Sequence, residues 1–210
     1  MNTSPKSAKA RQYPIAKATA RTASLLGLFA GFGGPEHGYY EILRGNIRPE
    51  GIMIASMGPP CQPDQVWHAC EPAMTLLPNY LLTGIVATIL GLITMVWAAA
   101  FIRRRDGGLV LIGLSIALLL FGGGLFPPLI GIVGGLLGTR IHALPQARPN
   151  RPFSFLARLW PASLISFFVW IFGQVIVCRF ANAIMMRSGL LSPLLILALL
   201  ILSIFSARAH

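Results

Sequence analysis

Charge is scarce in this sequence. Only 11% of its 210 residues are Asp, Glu, Lys or Arg, against about 25% in a typical soluble domain. Too few polar groups remain to cover a water-facing surface, which argues against a soluble globular protein. Acids are scarcest: 6 Asp and Glu stand against 17 Lys and Arg, for a net charge of +11. No basic, aromatic-interleaved surface accompanies that excess, so no nucleic-acid partner is expected. Catalytic signatures are missing too. There is no Gly-x-Ser-x-Gly, no His-Glu-x-x-His, no phosphate-binding Gly-Lys-Ser/Thr and no Gly-x-Gly-x-x-Gly after a strand. The basic loops are too small for a nucleotide domain, so an ATP-driven role would need a separate subunit. No internal repeat suggests a solenoid.

What is present is apolar sequence, 55% of the chain, gathered into long runs. Crossing about 30 Å of hydrocarbon takes about 20 helical residues, and several segments meet or approach that length. The expected fold is all-α: a polytopic transmembrane helix bundle of about six membrane-embedded segments, one pair forming a Gly/Pro-broken hairpin.

Residues 1–21 form a basic arm with Lys6, Lys9, Arg11, Lys17 and Arg21 and no acid. Pro5 and Pro14 discourage a long helix there, and the arm reads as a cytoplasmic tail. Its composition also suits an organellar transit peptide, and residues 24–34 suit the apolar part of a signal peptide. No Ala-x-Ala site follows, so retention ranks above cleavage. An N-terminal membrane module is expected over 22–141. Its first apolar stretch meets Gly33, Gly34 and Pro35. Extension to Leu43 reaches span length but takes in Glu36, His37 and Glu41. The favoured reading ends the helix at Gly34 and leaves Tyr39 and Tyr40 at the membrane–water boundary. Residues 44–77 carry Pro49, Pro59, Pro60, Pro63 and Pro72, the pattern of an irregular outer loop rather than a helix.

Residues 78–102 are the clearest span, closed by Arg103, Arg104 and Arg105. Residues 109–141 are too long for one ordinary span and short for two. Gly122, Gly123, Gly124, Pro127 and Pro128 divide them into 109–126 and 129–141. Gly134 and Gly138 form a Gly-x-x-x-Gly pair that lets helices approach closely. A basic connector (142–158) leads to a C-terminal two-helix hairpin (159–210), with apolar stretches at 159–177 and 189–206.

Basic residues flanking spans favour the cytoplasmic side. With the arm inside, that rule is satisfied only if 109–141 returns to the side it left. The arrangement then leaves just Arg44, Arg48, Arg179 and Arg187 of the 17 basic residues outside. The expected location is a cell (inner) membrane, multi-pass, N-terminus cytoplasmic, with an organellar membrane second.

Four constellations carry the functional expectations. Cys61 and Cys70 share the outer loop and can pair as a disulfide in an oxidising compartment, with two unpaired thiols as the alternative. His37 and Glu41 are four apart, His68 and Glu71 three apart, so each pair shares a face if helical. With Glu36 they offer imidazole and carboxylate ligands for zinc or another divalent metal, though the spacing matches no zinc signature. Otherwise no cofactor is expected. Glu36, His37 and Gln174 are candidates for an ion or proton path, because ionisable groups within a span usually face a cavity or a partner. The plainer reading of Gln174 is an interhelical hydrogen bond. The broken hairpin suits ion or substrate binding, or simple close packing.

The runs Gly33-Gly34-Pro35-Glu36-His37-Gly38, Glu41-Ile42-Leu43-Arg44-Gly45-Asn46 and Glu71-Pro72-Ala73-Met74-Thr75 resemble prokaryotic multi-span membrane proteins of no assigned activity. The resemblance covers about residues 25–141; it implies an N-terminal membrane module and transfers no catalytic residue. Three functions compete. The first is a non-enzymatic accessory or assembly subunit of a membrane complex, meeting lipid, protein partners or its own copies through small-residue helix faces. The second is a small transporter or channel for an ion or small solute, and the third a membrane metalloenzyme with an outer-face site.

Overall fold

The computed structural model describes residues 14–56, 71–143 and 154–209. Among these the chain is predominantly helical, with seven α-helices and one two-stranded sheet. Three helices are long and apolar enough to cross a membrane: α2 (Tyr80–Ala100), α6 (Ala162–Ser188) and α7 (Leu191–Ala209). The protein is a helical membrane protein.

Helix α1 runs Pro14–Arg44 without interruption, about 46 Å at the helical rise. Pro14 is well placed at the first helical position, where its missing N–H leaves no bond unmade. Ala16, Ala18, Ala20 and Ala23 then favour helix. Lys17 and Arg21, assigned to the arm, therefore lie on α1. The helix also does not stop at Gly34 but carries Pro35 in its interior. Proline releases the carbonyl four residues earlier, which here belongs to Gly31. That carbonyl faces Gly91 of α2 so closely that a Cβ at Gly91 would lie 2.5 Å from Gly31 O and 2.5 Å from Pro35 Cδ. A glycine opposite gives the proline ring and the freed carbonyl room, and the helix continues.

The same logic sets the α1–α2 seam. Gly27, Gly31, Gly34 and Gly38 recur at alternating steps of four and three, one stripe of a helix. Gly38 meets Gly84 and Thr88, Gly34 meets Ala87 and Gly91, Gly31 meets Gly91 and Met95, and Gly27 meets Ala98. The two helices run antiparallel with their backbones in near contact. Asn79 starts α2, its Oδ1 accepting from the Leu82 N–H at 3.0 Å.

Helices α3 (Gly107–Leu120) and α4 (Phe126–Thr139) form an antiparallel pair joined by a tight turn. Gly122 and Gly124 take positive φ there, 92° and 81°, and Pro127 and Pro128 occupy the first turn of α4. Gly134 abuts Leu26 of α1, and a Cβ at Gly138 would lie 2.8 Å from the Cα of Gly108 on α3. His142 Nε2 lies 3.0 Å from the Arg103 carbonyl. Arg103, Arg104, Arg105 and Arg140 thus share one end of the bundle, the basic end.

The proline-rich loop after α1 contains structure that its prolines obscured. Strands β1 (Met53–Ala55) and β2 (Pro72–Met74) pair antiparallel, Met53 opposite Met74 and Ile54 opposite Ala73. Pro72 sits at the first position of its strand, where a missing donor is tolerated. Thr75 bridges to Phe121 in the α3–α4 turn.

After α5 (Ser154–Leu159), α6 continues past the expected end at 177 to Ser188, kinking at Ala181. It pairs with α7 through Ser163 and Ser206, whose hydroxyls are 2.8 Å apart. The pair docks on α1 through edge-on contacts of Phe29 with Phe168 and Phe172. The apolar core is continuous across Ala23, Leu26, Leu111, Ile130, Phe167 and Leu200. Away from it α6 is bare: Phe180 is 85% exposed, as a lipid-facing side chain should be.

Candidate functional site

The end opposite the basic residues holds a buried polar cluster. Helix α1 brings His37 and Glu41 to one face, one turn apart, 1% and 0% exposed. Their depth follows from the seam: with Gly38 against Gly84 and Thr88, both lie beside the first turns of α2, below its start.

The sheet closes over them. Ser56, the residue after β1, is fully buried and donates its hydroxyl to Glu41 Oε1 at 3.0 Å, with the His37 carbonyl at 3.4 Å. Its backbone N–H is held by the Glu71 carbonyl at 2.9 Å. Glu71, just before β2, puts Oε2 3.8 Å from His37 Nε2 and keeps its side chain 26% exposed. A third wall is the α3–α4 turn. A Cβ at Gly122 would lie 2.6 Å from Glu41 Oε2, and one at Gly124 would collide with the His37 ring. The turn is fastened to the sheet by the Gly122 N–H donating to Met74 O at 2.8 Å. Thr75 and Thr83, hydroxyls 2.8 Å apart, tie β2 to α2 beside it.

Among the described residues, both ring nitrogens of His37 and Oε2 of Glu41 are buried with no hydrogen-bond partner. Native interiors pair nearly all such groups, and exceptions mark catalytic, ion-binding or hydrated sites. A polar group left unpaired in low dielectric costs free energy.

The expected metal set is only partly assembled. His37 and Glu71 adjoin, and Glu41 joins them through Ser56. Glu36 is half-buried one residue earlier, about 100° around the helix. His68 lies outside the described residues, as do Cys61 and Cys70. Glu71 is on extended chain beside β2. Among the described residues no three His, Cys, Asp or Glu side chains converge to hold a metal ion. Gln174 sits on α6, where its Oε1 accepts from Ser192 Oγ of α7 at 2.6 Å. Three members of the cluster carry no site signal in the sequence. Gly122 and Gly124 stand out there only as turn residues, and nothing local to Ser56 marks it.

No protein-family profile, curated protein or solved structure matches the chain, so function rests on the site itself.

Proposed function

We propose that the protein is a small membrane transporter of protons, which His37 and Glu41 carry. The observation that carries this reading is a pair of ionisable side chains buried beside the first turns of the apolar helix α2, with polar atoms that have no hydrogen-bond partner among the described residues. Such groups are rare inside spans and usually serve ion or proton pathways. The partly exposed Glu71 is the antenna: it meets water on one side and the His37 imidazole on the other. A proton passes from Glu71 to His37 and on to Glu41, one helical turn away, with Ser56 holding the receiving carboxyl. The turn between α3 and α4 is the gate in this reading, because Gly122 and Gly124 cover both side chains. In this reading α1, α2, α3, α4, α6 and α7 are the six membrane-embedded segments, with the basic end cytoplasmic.

The accessory-subunit reading has weaker support. The small-residue faces that recommended it are used within the chain, α1 on α2 and α4 on α1 and α3. It keeps the exposed apolar face of α6 as its only support.

The test is proton flux in proteoliposomes under a potassium-diffusion potential, read with an entrapped pH dye. Wild-type protein should dissipate the gradient faster than protein-free vesicles. Glu41→Gln and His37→Phe should return flux to the protein-free rate, and Glu71→Gln should slow it. Wild-type vesicles no leakier than empty ones, or Glu41→Gln vesicles as leaky as wild type, would refute the assignment.

A further inference from the structure

At the basic end a groove of about 720 Å³ opens between the first half of α1, the end of α2 and the start of α6. Its rim carries two guanidinium groups, Arg21 from α1 and Arg103 from just beyond α2, and none of the described residues lining it is an acid. Their depth is set by hydrogen bonds. Ser24 donates to the Ala98 carbonyl at 2.8 Å, so Arg21, nearly one turn before Ser24 on the antiparallel helix, lies level with the end of α2 and hence with Arg103. Trp160 shares that level, since its indole N–H donates to Thr22 Oγ1 at 3.2 Å. Arginine and tryptophan at one level, where an apolar span ends, mark the boundary between headgroups and acyl chains. From that rim the groove runs into the hydrocarbon along Leu25, Ile165 and Val169, which are 40%, 57% and 65% exposed.

We infer that this groove binds an anionic phospholipid, its phosphate between Arg21 and Arg103 and one acyl chain along Leu25, Ile165 and Val169. Charge selects the occupant. Two guanidinium groups at one rim favour a phosphate that carries net negative charge, and basic pockets between spans on the cytoplasmic side bind such headgroups. The apolar wall selects a lipid over a free anion, because a phosphate alone would leave it uncovered. The inference rests on the membrane placement of the helices and not on the proton site.

Native mass spectrometry of the full chain, released from nanodiscs of equal phosphatidylglycerol and phosphatidylcholine, tests it. Wild-type protein should retain phosphatidylglycerol about tenfold over phosphatidylcholine. Arg21→Gln with Arg103→Gln should abolish that preference. Arg104→Gln with Arg105→Gln should keep it, since neither lines the groove. Val169→Trp, which fills the apolar channel and leaves both arginines, should lower retention of both lipids. Circular dichroism confirms that each variant is folded, and added inorganic phosphate should not displace the lipid. Absence of a wild-type preference overturns the inference. So does equal loss in the two double-arginine variants, which would reduce the effect to diffuse attraction, or full retention by Val169→Trp.

Discussion

Single glycines divide into two physical kinds here, and the division is testable. Gly124 has φ of 81°, and the space a Cβ needs is filled by the His37 imidazole. Gly113 sits in mid-helix on α3, and a Cβ added there would have nothing within 4 Å. Gly124→Ala therefore meets both a left-handed backbone penalty of about 1–2 kcal/mol and the overpacking penalty of about 1–3 kcal/mol. Gly113→Ala instead gains the helix preference of about 0.5–1 kcal/mol. Thermal unfolding in mild detergent should show the midpoint falling for the first and holding or rising for the second. Equal shifts would mean that the α3–α4 turn does not pack against His37. At this scale the site was legible in its ionisable residues, His37, Glu41 and Glu71. His37 and Glu41 declare themselves by a four-residue spacing. Ser56, Glu71, Gly122 and Gly124 reach the same place from separate stretches, and no local pattern records that convergence.

At the level of elements, the glycine seam decides whether α1 exists as one helix. Pro35 would ordinarily break it, and the expectation of a stop at Gly34 followed from that rule. What overrides the rule is Gly91, 56 residues away in sequence and opposite the carbonyl that Pro35 frees. Gly91→Val should therefore do more than crowd an interface: it should separate α1 from α2 around Pro35 and uncover His37. A loss of about 2 kcal/mol or more is expected from overpacking against backbone, which cannot rotate away. Gly173→Val on α6, where nothing lies within 4 Å, should be tolerated. Limited proteolysis and thermal unfolding would separate the two. If Gly91→Val resembled Gly173→Val, the close contact of α1 with α2 would be wrong. The spacing of Gly27, Gly31, Gly34 and Gly38 makes the larger contact, whereas the better-advertised Gly134 and Gly138 pair serves a smaller one. The sheet was not readable, because three-residue strands bordered by proline carry too little periodicity to rise above a loop.

For the molecule as a whole, orientation depends on which residues share an end. The α3–α4 pair is two helices of 14 residues, each about 21 Å and shorter than the hydrocarbon. Yet it reaches from the Trp97 level, where that indole donates to Gly107 O at 3.0 Å, to the Thr83 level, where Gly122 packs. It thus leaves the basic end, covers most of the depth of α2 and returns, and Arg103 and Arg140 emerge together. The proposed orientation, with these arginine-bearing loops cytoplasmic, is open to direct test. In a variant with Cys61, Cys70 and Cys178 replaced by serine, single cysteines at Glu50, Arg104 and Arg140 report the sides. A membrane-impermeant maleimide added to sealed, right-side-out vesicles should label position 50 at once and positions 104 and 140 only after permeabilisation. Labelling of 140 but not 104 from outside would show that α3 and α4 do not return. Labelling of 104 and 140 without 50 would invert the protein, and a Glu71 antenna facing the cytoplasm would then draw its protons from the opposite compartment.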